Sequence, residues 1–111
     1  MSKPGFILGS SARADLLEIW TYISADSENR ADRVIARLLD AFARVAENPG
    51  IGHLRENLWQ SRLRFWTVSP YIVAYLKDTA PVEIIGVIHG ARLLESLLRQ
   101  RMEGPSSSED E

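Results

Sequence analysis

Arg62-Leu63-Arg64-Phe65-Trp66-Thr67-Val68, Tyr71-Ile72-Val73-Ala74-Tyr75-Leu76-Lys77-Asp78 and Val82-Glu83-Ile84-Ile85-Gly86-Val87-Ile88-His89 are three runs rich in β-branched and aromatic residues. Ser69-Pro70 separates the first two and Thr79-Ala80-Pro81 the last two. Runs of this kind between turn residues read as strands, and connectors this short make neighbours antiparallel. The stretch is therefore expected to form a three-stranded meander. Pro70 at the second central position is unusual for a tight hairpin.

Side chains alternate along a strand, so parity sorts them into two faces. If Val68 pairs with Tyr71 and Asp78 with Val82, Trp66 opposes Val73, Arg64 opposes Tyr75 and Tyr71 opposes His89. One face then carries Leu63, Phe65, Ile72, Ala74, Leu76, Ile84, Gly86 and Ile88. Being almost wholly apolar, it is expected to pack on helices. The other carries Arg62, Arg64, Trp66, Tyr71, Tyr75, Lys77, Glu83 and His89, with Val73, Ile85 and Val87 among them. A one-residue slip would drive Arg64 into the core, where an unpaired charge costs several kcal/mol.

The preceding residues have a different period. Phe6-Ile7-Leu8 reads as a short edge strand, with Ser10 or Ser11 as the cap of a following helix. Ala12, Leu16, Ile19, Trp20 and Ile23 recur at helical spacing. After a break at Ser24–Ser27, a second helix is expected from about Ser27 to Ala46. Ala31, Val34, Ile35, Leu38, Phe42 and Val45 line its apolar stripe, and Arg30, Arg33, Arg37, Asp40 and Arg44 its polar side. Asn48-Pro49-Gly50 stops it. The two helices form an antiparallel hairpin. Gly90 ends the last strand, and Leu93, Leu94, Leu97 and Leu98 mark a short closing helix.

The expected fold is thus α+β: a strand, a two-helix hairpin, a three-stranded antiparallel meander and a short C-terminal helix. One domain occupies residues 1–102. Residues 103–111 form a Ser-rich tail with four acids, Glu103, Glu109, Asp110 and Glu111, whose composition suits disorder. The length, 111 residues, fits one domain. With no cysteine, disulfides and thiolate zinc sites are excluded; no metal or cofactor is expected. No apolar run approaches the roughly 20 residues of a membrane helix. Met1-Ser2-Lys3-Pro4 lacks the apolar stretch of a signal peptide, so a cytoplasmic location is expected. The net charge is −2, yet 11 of the 13 basic residues are arginine, whose planar fork suits phosphate or carboxylate. A mixed, solvated surface explains the same counts.

The polar face of the meander holds the candidate chemistry. Arginine pairs with phosphate and aromatic rings stack on unpaired bases. Histidine exchanges protons near neutral pH, which makes His89 a candidate acid or base. The alternative is that the closing helix covers part of this face, with Val73, Ile85, Val87 and Trp66 in a second small core and Tyr75 and His89 as satisfied hydrogen-bonders.

Leu63-Arg64-Phe65-Trp66, Tyr71-Ile72-Val73-Ala74-Tyr75 and the run from Val82 through His89-Gly90-Ala91-Arg92 resemble the RelE/ParE toxin superfamily. Ala12 to Ile23 is similar to the opening helix of ParE-like members, and Asn48-Pro49 with Gly52 to their helix-to-sheet loop. The resemblance covers about residues 6–101. It implies a type II toxin neutralised by a cognate antitoxin, ParD-like and DNA-binding, with operator DNA reached only through that antitoxin. RelE-like members cleave mRNA on the ribosome; ParE-like members poison DNA gyrase. Fold does not separate them.

Between residues 50 and 76 there is no lysine, and Arg55, Arg62 and Arg64 are the only arginines. His89-Gly90-Ala91-Arg92 is similar to the ParE-like branch. The expectation is a gyrase inhibitor of a plasmid-stabilization or growth-arrest type, with no chemistry of its own. Its target-binding residues would be Arg55, Arg62, Arg64, Trp66, Tyr71, His89 and Arg92. The alternatives are a ribosome-dependent mRNA endonuclease using Arg64, Tyr75, His89 and Arg92, or a relic that only binds antitoxin. Trp20, Tyr22, Leu39 and Leu54 exceed what one apolar stripe needs, and an amphipathic antitoxin segment is expected on them.

Overall fold

The computed structural model describes residues 5–54 and 63–92. The expected closing helix, the tail, Arg55 and Arg62 lie outside the described residues. The order is β1 (Phe6–Leu8), α1 (Ser10–Ser24), α2 (Glu28–Glu47), a 3₁₀ turn (Pro49–Ile51), β2 (Leu63–Val68), β3 (Tyr71–Leu76) and β4 (Val82–His89). The strands form one sheet in the order β1-β4-β3-β2. β2, β3 and β4 are the expected antiparallel meander, and β1 adds to β4 in parallel, with Phe6 opposite Val82 and Leu8 opposite Ile84. Among the described residues no helix is long and apolar enough to cross a membrane.

Local chemistry explains the helix ends. Gly9, rather than Ser10 or Ser11, caps α1, and no side chain bonds there. The Gly9 amide instead donates to Ile84 O at 2.9 Å, fastening the helix start to β4. A Cβ on Gly9 would come within 3.2 Å of that same carbonyl, so glycine permits the approach. Ser27 caps α2, its hydroxyl accepting from the Arg30 amide at 3.2 Å. α2 buries Ala31, Leu38, Ala41, Phe42, Val45 and Ala46 on one stripe. Its Asp32 carboxylate accepts from Trp20 Nε1 at 2.9 Å, bridging the two helices.

The register matches the sequence reading from Arg64/Tyr75 to Val68/Tyr71 and at Tyr71/His89 and Val73/Val87. It then breaks. Ala74 pairs with Gly86 but Tyr75 pairs with Ile84, leaving Ile85 as the extra residue of a bulge. The peptide bond before Pro70 is cis, the arrangement in which proline takes the second central position of a turn.

The helices cover the face opposite to the expected one. Val73, Tyr75, Val82, Ile84 and Val87 share a buried cluster with Ala12, Leu38, Phe42, Val45 and Ala46; Trp66, Val68 and Tyr71 pack at its margin. Each fully buried Leu or Phe contributes about 1.5–3 kcal/mol, so this cluster dominates the stability. Two things misled the parity argument. Aromatic side chains bury their rings and still satisfy a polar tip. The bulge at Ile85 also moves Ile84 across to join Tyr75. On the opposite face Phe65 and Ala74 are buried as well. Phe65 exchanges both backbone hydrogen bonds with His53, at 2.8 and 2.9 Å, which extends the sheet past β2.

Candidate functional site

β1 is shorter than β4, so from Ile85 onward one side of β4 has no strand beside it among the described residues. Here α1 provides the partner. Asp15 Oδ2 accepts from the Val87 amide at 2.9 Å and so caps the open edge. Gly86 lies under the same carboxylate, where a Cβ would come within 3.2 Å of Asp15 Oδ2.

Past this contact α1 and the end of β4 diverge. They enclose a cleft of about 510 Å³ lined by Asp15, Glu18, Ile19 and Tyr22 from α1, Tyr71 from β3, and Val87, His89, Ala91 and Arg92. The α1 residues follow helical spacing, which sets them on one side of the helix. One wall carries two carboxylates and the other His89 and Arg92. The Tyr71 and His89 rings meet edge to face, with centroids 5.5 Å apart and an interplanar angle of 83°. His89 Nδ1 accepts from the Ala91 amide at 3.1 Å, which leaves Nε2 to carry the ring proton when the imidazole is neutral. The Gly90 amide donates to Pro70 O at 2.8 Å and fixes the chain where it leaves β4.

The cleft gathers Tyr22, Tyr71, His89 and Arg92 from the expected site residues. It does not gather the rest. Tyr75 is a core residue with no exposed surface, which corrects its placement on an open face and agrees with the alternative of a satisfied hydrogen-bonder within a core. Its hydroxyl donates to Pro49 O at 2.7 Å and accepts from the Gly52 amide at 2.8 Å. Burial raises its pKa above the ordinary tyrosine value; the Gly52 hydrogen bond and the Arg64 charge pull the other way. Arg64 lies on β2 opposite Tyr75, half-buried, four residues along the sheet from the Val68–Tyr71–His89 row. At about 3.3 Å per residue and 4.8 Å per strand, that puts Arg64 roughly 16 Å from His89 along the sheet. Trp66 is on β2 as well, opposite Val73 and half-buried.

Trp20 is committed to Asp32, whereas Tyr22, Leu39 and Leu54 are exposed, Tyr22 to 82%. Leu17 is exposed too and was not singled out from the sequence. Also missed were Asp15 and Glu18; their spacing with Tyr22, at i, i+3 and i+7 on α1, is the signal that points to one shared wall. Among the described residues no group of three or more His, Asp or Glu is arranged to hold a metal ion.

A comparison with protein families matches residues 6–94 to the family described as the ParE toxin of the type II toxin–antitoxin system parDE. No curated protein matches. Among solved structures, a chain of the chromosomal ParDE toxin–antitoxin system from P. aeruginosa is similar in fold, with a TM-score of 0.64 at 15% identity. The match covers 78% of this chain and 95% of the other. The helical hairpin, the meander and the His89-Gly90-Ala91-Arg92 end of β4 all fall inside the matched span, and the chain belongs to the ParE toxin family of type II toxin–antitoxin systems.

Proposed function

We propose that this toxin inhibits DNA gyrase by binding it, without chemistry of its own, and is held in check in the cytoplasm by a small ParD-like antitoxin. The observation that carries this reading is the dispersal of the would-be nuclease set. RNA cleavage needs cations and a proton donor and acceptor converging on one phosphate. Tyr75 is buried and doubly hydrogen-bonded, and Arg64 is at the far end of the sheet from His89. The cleft that does form, with Tyr71, His89 and Arg92 facing Asp15 and Glu18, suits recognition of a protein surface of mixed charge. Arg55, Arg62, Arg64 and Trp66 would add to target contact from the β2 side.

In the same proposal, the antitoxin covers the hairpin. Leu17 and Leu39 are exposed apolar side chains on α1 and α2, with Leu54 beyond them, and exposed Tyr22 lies where α1 borders the cleft. An amphipathic antitoxin segment would bury them, and sequence-specific reading of operator DNA would be the antitoxin's task. The test is induction of the chain in a bacterial host with and without its antitoxin. Growth arrest with gyrase-linked DNA breaks, relieved by the antitoxin, is expected. Arrest with ribosome-dependent mRNA cuts and intact DNA would establish the nuclease instead, and growth without arrest would leave a relic.

A further inference from the structure

The polar side of α2 is not uniformly mixed in charge. At about 100° per residue, Arg30, Arg33, Arg37 and Arg44 fall within an arc of about 60°, and α2 contributes no other residue to that arc. All four are exposed. Arg30 pairs with Asp26 at 3.3 Å, a solvent-exposed contact of little strength. Arg37 places one nitrogen 3.0 Å from Ser69 O, which leaves most of its five donors available and sets the arc beside the β2–β3 turn. Asp40 and Glu47 border the arc, and among the described residues neither forms an ion pair with these arginines. Beneath it, β2 turns Arg64 and Trp66 toward α2 and carries no acid.

We propose that this flank of α2, continued by Arg64 and Trp66 on β2, binds the phosphodiester backbone of nucleic acid without reading its sequence. The geometry supports it. From Arg33 to Arg44 is about 16 Å along the helix axis at 1.5 Å per residue. That span passes about five phosphates of one duplex strand at about 3.4 Å of rise each. Arginine's fork grips a phosphate through two bonds, and Trp66 offers a ring for an unpaired base. A protein partner fits less well, because the core of a protein interface is depleted of charged residues, and this surface is five arginines with a single aromatic ring at its margin. The surface is separate from the cleft at the open edge of β4 and does not depend on gyrase being the target. It also departs from the family expectation that nucleic acid is met only through the antitoxin.

The experiment measures binding of the full chain, in the absence of gyrase and antitoxin, to a 20-base-pair duplex DNA and to a single-stranded RNA of mixed sequence between 50 and 200 mM salt. For three phosphates contacted on duplex, the slope of log K against log salt is expected near −2.7, from about −0.9 per phosphate. The single-strand slope is expected to be shallower, about −0.7 per phosphate; the tighter of the two probes identifies the source of the backbone. Arg33→Gln/Arg37→Gln/Arg44→Gln should bring the slope close to zero and weaken binding at least tenfold at 50 mM salt. Arg33→Gln/Arg44→Gln, which spares the Arg37 contact with Ser69, should give an intermediate slope with an unchanged melting temperature. No binding to either nucleic acid at 50 mM salt, an unaltered slope in the triple variant, or Arg-dependent binding to polyglutamate alone would each overturn the proposal.

Discussion

The Gly52 amide donates to the Tyr75 hydroxyl at 2.8 Å across 23 residues of sequence, and that hydroxyl in turn donates to Pro49 O at 2.7 Å. One phenol thereby clamps the turn after α2 to the centre of the sheet. Tyr75→Phe keeps the ring but takes the partner from a buried amide and a part-buried carbonyl, a loss of about 1–3 kcal/mol. Gly52→Ala should cost at least as much, about 1–3 kcal/mol, because its Cβ would sit 2.5 Å from the Tyr75 hydroxyl oxygen. Urea denaturation of both variants checks the pair.

The same clamp has a pH signature. Burial raises the Tyr75 pKa in the folded state, so the native protein holds this proton more tightly than the unfolded chain. The stabilisation is complete below about pH 10, the ordinary tyrosine value, and is lost as pH rises through the raised folded value. The stability difference between the native sequence and Tyr75→Phe should therefore shrink above about pH 10. A difference that stays constant through pH 11 would mean that the phenol ionises as easily folded as unfolded.

Asp15 closes an open strand edge from a helix 72 residues away in sequence. Asp15→Ala removes the carboxylate that accepts from the Val87 amide and should cost about 1–3 kcal/mol. Amide hydrogen exchange at Val87 should accelerate in proportion. Asp15→Asn retains a side-chain oxygen and should lose less.

The hairpin surface and the cleft should separate in binding assays. Leu17→Ala/Leu39→Ala should weaken antitoxin binding by about 1–2 kcal/mol, or roughly 5- to 30-fold. Gyrase inhibition by the same variant should be unaffected. Trp20 is held by Asp32 across the hairpin, so its fluorescence should change when the antitoxin docks. Unchanged fluorescence and unchanged hydrogen exchange in both helices would place the antitoxin elsewhere.

The sequence carried the elements and their order because each is locally encoded. The apolar stripe of α2, the Ser27 cap and the alternation of β2 and β3 need no distant partner to be read. The register followed between β2 and β3 and from Tyr71 to Ala74 against β4, whereas toward Thr79–Pro81 it shifts by one: Tyr75 meets Ile84 and Leu76 meets Glu83, so the expected Asp78–Val82 pairing does not hold. What alternation could not supply was which face the helices would choose. Both faces are apolar enough to be buried, and the choice rests on long-range facts: the Tyr75 hydroxyl meets Pro49 and Gly52, and the bulge at Ile85 transfers Ile84 to the same side. Of the candidate site, the Tyr71–His89 pair follows from register alone. The opposing wall of Asp15 and Glu18 depends on where α1 crosses β4, and a helix's position on a sheet is a tertiary fact with no local signature.

The gyrase proposal is tested most directly by supercoiling of relaxed plasmid by purified DNA gyrase titrated with purified toxin. Inhibition with trapped, cleaved DNA is expected, abolished by stoichiometric antitoxin and weakened at least tenfold by His89→Ala/Arg92→Ala in a protein that still melts like the native chain. Supercoiling that proceeds unchanged at a large molar excess of folded toxin would refute gyrase as the target.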